Sequence, residues 1–159
     1  MKKTLSYIGL ILILILGLTS CVKKEDENYA NQTKANTVIT EINQLPTTDA
    51  IELTDEVKIA NVRSLYNALS KEAKALVTNL DKLEALENKL IELKKAKDNQ
   101  DKANVVIELI NKLPVADELT LEGEDKVKEA RTTYEALSEE VKALVTNLDK
   151  LEALENKLI

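Results

Sequence analysis

The sequence predicts an all-α protein that contains two tandem three-helix-bundle repeats. The chain has 159 residues, of which 31% are charged, yet it contains only three Gly and two Pro residues. This composition favours helices. Apolar residues recur at steps of three and four along most of the chain, as on one face of a helix. The stretch KALVTNLDKLEALENKLI also occurs twice without a substitution, at residues 74–91 and 142–159.

Residues 1–20 have the features of an export leader. Lys2 and Lys3 precede the apolar run LSYIGLILILILGL, which is shorter than the roughly 20 residues that a membrane-spanning helix needs. The run closes with LTSC at residues 18–21, which resembles the lipobox of bacterial lipoproteins. That resemblance implies cleavage before Cys21, a thioether-linked lipid and a fatty acyl group such as palmitate on Cys21, and attachment to the outer face of the bacterial cell membrane. The alternative is an ordinary signal peptide with an incidental cysteine.

The lone cysteine favours lipid attachment. Cys21 is the only cysteine in the chain, so it cannot form an intramolecular disulfide after export. The segment that follows, VKKEDENYANQT, is polar and has no helical apolar pattern. We therefore expect residues 21–33 to form the lipidated N-terminus and a flexible tether.

The rest of the chain is one unit written twice. Adding 68 to a residue number in the first unit gives its counterpart in the second. The offset pairs Pro46 with Pro114, Ile42 with Ile110, Arg63 with Arg131 and Tyr66 with Tyr134. Such self-similarity is typical of repeat architectures. We predict repeat 1 at residues 34–97 and repeat 2 at residues 98–159.

The first predicted helix of each unit ends at a proline. Its apolar stripe in repeat 1 is Ala35, Val38, Ile42 and Leu45. Pro46 follows directly and disfavours further helix. After a short loop, Thr54 is the predicted N-cap of the second helix, with acidic residues in its first turn.

The second and third helices carry the remaining apolar positions. The second stripe is Ile59, Val62, Tyr66, Leu69, Ala73 and Leu76, and the third is Leu83, Leu86, Leu90 and Leu93. The unbroken phase of the second stripe favours one long helix, although Ser70 is a good N-cap and favours two shorter ones. Asn79 is a candidate cap for the third helix, on which Glu84, Glu87 and Lys94 read as exposed.

The junction between the repeats allows two structures. Residues 80–113 contain neither Pro nor Gly, which favours one continuous, coiled-coil-like helix from the first unit into the second. The alternative is a hinge at KDNQD, because Asp98 and Asn99 are poor helix formers.

The repeats resemble a known class of module. The patterns VI..I..LP and AR..Y.AL, followed by VKALVTNLDKL, resemble the small helical-bundle repeats of secreted and cell-surface proteins of Gram-positive bacteria. The resemblance implies a bundle fold and a surface location. It implies no reaction.

Few residue types suited to catalysis are present. The chain has no His and a single Cys, so the usual nucleophile and base pairs cannot be assembled. We therefore predict no enzyme activity and no cofactor. An acidic loop contains Asp117, Glu122, Glu124 and Asp125, but it lacks calcium-loop spacing, so we predict helix capping there and no metal site. The net charge of −6 argues against nucleic acid as a partner.

Two arginine–tyrosine pairs form the candidate interaction face. Arg63 and Tyr66 in repeat 1, and Arg131 and Tyr134 in repeat 2, lie three residues apart and so share a helix surface. Arg and Tyr are frequent anchors of binding interfaces. The alternative is structural, with Tyr filling the core edge while Arg lies beside it and pairs with a carboxylate.

Two classes of function follow from these features. The preferred one is a non-catalytic, membrane-anchored surface lipoprotein that acts as a helical spacer or binds a protein or a cell-wall glycan. The alternative is a solute-capture or enzymatic lipoprotein, which requires a cleft with inward-facing polar groups. Fold alone does not separate them.

Overall fold

The computed structural model describes residues 24–115, 118 and 120–158 of the chain. These residues are helical or lie in turns and loops, with no β-strand among them, so the prediction of an all-α protein is confirmed. The predicted leader, the lipobox and Cys21 lie outside the described residues.

The helices follow one another in the same order in both halves of the sequence. Residues 24–43 form α1, a 3-10 turn covers Leu53–Asp55, and the remaining helices are α2 (Glu56–Asn67), α3 (Lys71–Lys74), α4 (Leu80–Asn111), α5 (Leu121–Glu135), α6 (Glu139–Lys142) and α7 (Leu148–Glu155). The chain divides into two compact units between Leu90 and Ile91, ahead of the predicted boundary at 97/98. Contacts of the second unit begin before that boundary, since Lys95 pairs with Glu140 at 2.9 Å.

The segment predicted as a flexible tether is helical where the structure describes it. Residues 24–33 are part of α1. Although polar, they include neither Gly nor Pro, and the Thr33 hydroxyl donates to the Tyr29 carbonyl at 2.9 Å within the helix. Ser70 also donates its hydroxyl to Asn31 Oδ1 at 2.9 Å, which ties this part of α1 to the rest of the first unit. The prediction of a flexible tether is wrong for residues 24–33, because it took the absence of an apolar stripe to mean the absence of a helix.

The core of the first unit is formed by the predicted apolar stripes. Its buried residues are Ala35, Val38, Ile42, Leu45, Ile51, Ile59, Val62, Ala73, Leu83, Leu86 and Leu90. Tyr66, Leu69 and Leu76 are half-buried at the edges of their stripes, and so is Leu93, which belongs to the second unit. The buried residues therefore lie mainly on the predicted apolar faces, without a buried charged or polar residue among those described.

The second unit repeats this core with counterpart residues. Val106, Ile110, Leu113, Val127, Ala130, Leu151 and Leu154 form one buried cluster. Leu109, Tyr134, Leu137, Val145 and Leu148 are partly buried and pack against it. The same apolar positions therefore close each unit.

The second predicted helix is split in both units. Ser70 adopts an extended backbone conformation and its side chain accepts a hydrogen bond from the Ala73 N–H at 3.1 Å. Ser138 is the N-cap of α6 at the matching position. The favoured prediction of one long helix is wrong, because Ser70 and Ser138 both adopt an extended backbone conformation that interrupts the helix even though the apolar phase continues across it. Only Ser70 adds a side-chain capping hydrogen bond.

The start of the second helix also differs from the prediction. Thr54 lies inside the 3-10 turn, and the Glu52 N–H donates to Asp55 Oδ2 at 2.9 Å. In the second unit Thr120 caps α5, accepting from the Gly123 N–H at 3.3 Å. The helix in the second unit therefore starts ahead of Glu122, Glu124 and Asp125.

The polar stretch KDNQD is part of an unbroken helix. Within α4, Lys97 pairs with Asp101 at 2.7 Å and Lys102 pairs with Asp98 at 2.6 Å, both at the favourable spacing of four residues. These pairs offset the poor helix propensity of Asp and Asn. The predicted alternative, a hinge at Asp98, is not found. None of the described helices is long and apolar enough to cross a membrane.

Candidate interaction site

Arg63 is held in the first unit by a two-pronged ion pair. It projects from α2 toward Glu87 on α4, and its Nε and Nη2 donate to Oε1 and Oε2 at 2.6 and 2.5 Å. The two side chains are only 24% and 31% exposed. Paired hydrogen bonds of this geometry fix both orientation and charge. The hydrogen bonds to Glu87 raise the pKa of the Arg63 guanidinium.

Arg131 makes the same ion pair in the second unit. Its Nε and Nη2 donate to the two carboxylate oxygens of Glu155 at 2.6 and 2.5 Å. The hydrogen bonds to Glu155 likewise raise the pKa of the Arg131 guanidinium. The agreement between the units identifies this pair as part of the repeated design, with α5 joined to α7.

Each tyrosine of the candidate face lies between two cations. The Tyr66 ring centroid is 5.4 Å from Arg63 Cζ and 5.5 Å from Lys74 Nζ. The Tyr134 centroid is 5.4 Å from Arg131 and 5.6 Å from the lysine that corresponds to Lys74. Both rings are half-buried and within cation–π range.

These contacts show what surrounds the four residues of the candidate interaction face within the chain. Arg63 and Tyr66 share one helix surface, as the spacing predicted, and so do Arg131 and Tyr134. The sequence reading missed the identity of the carboxylate partner, because Glu87 was placed on a solvated face. A signal was available: Arg63 and Glu87 are both repeated at the same offset, as Arg131 and Glu155.

Asn79, which directly precedes α4, binds α1 through its side-chain amide. Its Nδ2 donates to the Ile39 carbonyl at 3.0 Å and to Asn43 Oδ1 at 2.9 Å. Its Oδ1 is buried without a hydrogen-bond partner, so the predicted capping of α4 by this side chain does not occur. Asn147 repeats the arrangement in the second unit, donating to the Ile107 carbonyl at 2.9 Å.

Lys82 completes the contact with the end of α1. Its ammonium donates to the Leu45 carbonyl at 2.7 Å and to the Asn43 carbonyl at 3.2 Å. A cation is favourable there because the last carbonyls of a helix lack intrahelical partners and carry partial negative charge. Lys150 makes the matching bonds in the second unit, including one to the Leu113 carbonyl at 2.8 Å.

The stretch that occurs twice therefore supplies contacts within its own unit. In residues 74–91, Asn79 and Lys82 hold the end of α1, Glu87 holds Arg63, and the leucines fill the core. Residues 142–159 repeat the three polar contacts. The identity of the two copies thus coincides with an identical set of polar contacts.

The acidic loop of the second unit and a groove in the first unit offer no organised chemical site in the described structure. Glu124 pairs with Lys128 at 2.7 Å, while Asp117 and the side chain of Glu122 lie outside what is described. Within the described ranges, no group of three or more His, Cys, Asp or Glu side chains is arranged to hold a metal ion. A groove of about 590 Å³ in the first unit is lined by charged and amide side chains, namely Lys24, Glu25, Glu27, Asn28, Asn31 and Glu72.

No protein-family model, curated protein or solved structure matches the chain. The resemblance to bacterial surface-protein repeats and to the lipobox therefore stays a prediction.

Proposed function

We propose that the chain is a non-catalytic surface lipoprotein whose two units are tandem three-helix bundles that serve as a spacer or as an interaction module. The observation that carries this proposal is the internal use of the repeated stretch. Asn79, Lys82 and Glu87, the polar residues in it with the most specific geometry, bind partners in their own unit. Groups committed in this way specify a fold rather than a reaction.

The membrane anchor is proposed on the basis of Cys21 and the residues around it. The leader, the lone cysteine and LTSC at residues 18–21 support lipid attachment. Only Val22 and Lys23 separate Cys21 from the described part of α1. A lipid on Cys21 would therefore hold the first unit close to the outer face of the membrane, where it can meet a protein or a cell-wall glycan.

The anchor is tested by Cys21→Ser in the full chain, followed by separation of membranes from soluble protein. We expect the wild type in the membrane fraction and the variant in the medium or soluble fraction. Asn28→Ser, an exposed position on α1, is the matched control and should remain with the membranes. Equal retention of Cys21→Ser would contradict the lipid anchor.

A further inference from the structure

The second unit contains a carboxylate held between two cations beside Tyr134. Glu135 Oε1 lies 3.3 Å from Arg131 Nη1, and Glu135 Oε2 lies 3.3 Å from Lys142 Nζ. The Arg131 atoms that bind Glu155 are Nε and Nη2, so Nη1 is directed to the second carboxylate. Lys142 and Arg131 lower the pKa of Glu135 below its ordinary value, as expected for a carboxylate in this setting.

The first unit has the same cations but a different residue at the carboxylate position. The counterpart of Glu135 is Asn67, which carries no charge. Arg63 and Lys74 nevertheless lie at 5.4 and 5.5 Å from the Tyr66 ring, matching the second unit within 0.1 Å. The first unit therefore has the two cations, Arg63 and Lys74, in the same arrangement but lacks the glutamate that their counterparts bind in the second unit.

The neighbouring charges also differ in the direction that favours an incoming anion. Glu139 pairs with Lys142 at 3.1 Å in the second unit, whereas its counterpart in the first unit is Lys71. Lys74 Nζ donates to the backbone carbonyl of Asn67 at 2.9 Å, which holds the ammonium near the ring. The first unit thus replaces two carboxylates around the tyrosine with an amide and an ammonium.

Arg63 is preorganised to receive a carboxylate. Glu87 engages Nε and Nη2 and leaves the guanidinium fixed on the protein, with Nη1 on the edge that binds Glu135 in the second unit. The side chain is 24% exposed, so it is accessible from solvent yet has already lost most of its rotamer freedom. Binding to a fixed donor costs less entropy than binding to a free one.

We propose that Arg63 and Lys74, beside Tyr66, bind a carboxylate side chain of a protein partner, in the way that Arg131 and Lys142 bind Glu135. The natural occupant in the second unit is itself a glutamate side chain, and this points to an acidic peptide segment as the ligand class. The inference rests on the interaction-module part of the proposed function and is independent of the lipid anchor.

The test uses the fact that Arg63 and Arg131 are the only arginines in the chain. The full-length protein in detergent micelles, labelled with ¹⁵N, should give two arginine Nε–H resonances, which Arg63→Lys and Arg131→Lys assign. The probe is N-acetyl-triglutamate amide, with N-acetyl-triglutamine amide at equal ionic strength as the control. We expect a saturable shift of the Arg63 resonance with the glutamate peptide, and a much smaller shift of the Arg131 resonance.

Two variants, each of which places the residue of one unit at the matching position of the other, test whether the peptide binds at Arg63 and Lys74. Asn67→Glu supplies the carboxylate of the second unit, and its high effective concentration should weaken the Arg63 response about tenfold. Glu135→Asn should make Arg131 respond to the peptide. Both positions are exposed, and circular dichroism will check that the variants keep their helix content.

The following results would overturn the proposal. Equal shifts with the glutamine peptide would exclude carboxylate recognition, and an unchanged Arg63 response in Asn67→Glu would place binding elsewhere. No saturable shift of Arg63 would contradict the site as well. Galacturonate, a sugar that carries a carboxylate, is titrated in the same way, and a response to it without a response to the glutamate peptide would contradict a protein partner. Membrane release of Cys21→Ser is measured separately, so failure of this site and failure of the anchor are distinguishable.

Discussion

Replacing Asn79 by Asp exchanges the donating amide for a carboxylate oxygen at almost constant size. In the wild type, Nδ2 donates to the Ile39 carbonyl at 3.0 Å and to Asn43 Oδ1 at 2.9 Å. Each hydrogen bond contributes about 0.5–1.5 kcal/mol net, and an oxygen facing these two acceptors adds repulsion and leaves them unsatisfied. We therefore expect Asn79→Asp to lower the free energy of unfolding by about 2–4 kcal/mol.

The assay is urea denaturation at neutral pH followed by helical circular dichroism. Asn147→Asp should cost the second unit a similar amount, because Asn147 makes the matching bonds to Ile107 and Asn111. Asn28→Asp, on the exposed surface of α1, is the control and should change the free energy of unfolding by less than about 0.5 kcal/mol. If Asn79→Asp unfolds at the same urea concentration as this control, the hydrogen bonds from Asn79 do not stabilise the unit and the reasoning is refuted.

Three further predictions concern the ion pair, the core and the response to acid. A double-mutant cycle with Arg63→Ala and Glu87→Ala should give a coupling of about 1–2 kcal/mol, because the pair is bidentate and partly buried, and coupling near zero would contradict its structural role. Leu86→Ala should lower the free energy of unfolding by about 2–5 kcal/mol in urea denaturation, since the side chain is 0% exposed, and a loss below about 1 kcal/mol would contradict its core position. Lys142 lowers the folded-state pKa of Glu135, so its stabilising effect is present above the ordinary value near 4.5 and is lost as pH falls through the lowered folded-state pKa. Acid titration should therefore show a shallower loss of stability in Glu135→Gln than in the wild type, and equal slopes would contradict the pairing.

Much of the fold follows from apolar periodicity. Ala35, Val38 and Ile42 were predicted as one stripe and all three are buried, as are Leu83 and Leu86 on α4. Steps of three and four place such residues on one face, and that face must pack against another. The internal repeat adds a second line of evidence, because it predicts the same elements twice.

Local signals were weaker guides where two of them competed. At Ser70 the apolar phase favoured a continuous helix and the serine favoured a cap, and the cap determines the backbone. For residues 24–33 the missing apolar stripe suggested a tether, although a polar segment without Gly or Pro can extend a helix whose later turns are packed. At Asp98 the flanking lysines keep the helix intact.

The polar contacts between helices could not be predicted from neighbouring residues. Arg63 and Glu87 are 24 residues apart, and Asn79 and Ile39 are 40 apart, so no helical spacing links them. Arg63, Glu87 and Asn79 are polar or charged, so each one considered alone is typical of a solvent-exposed helix surface. Comparison of the two units identifies these residues, because those that make the shared contacts are identical at an offset of 68. Asn67 and Glu135, which are also related by this offset, differ and belong to no shared contact.

The most direct measurement of the proposed function is the intact mass of the protein recovered from the membrane fraction. The account predicts a chain that begins at Cys21, without residues 1–20, and carries the added mass of a diacylglycerol group, with or without a further acyl group. A membrane-associated protein that retains the leader, or a mature protein with an unmodified Cys21, would contradict it.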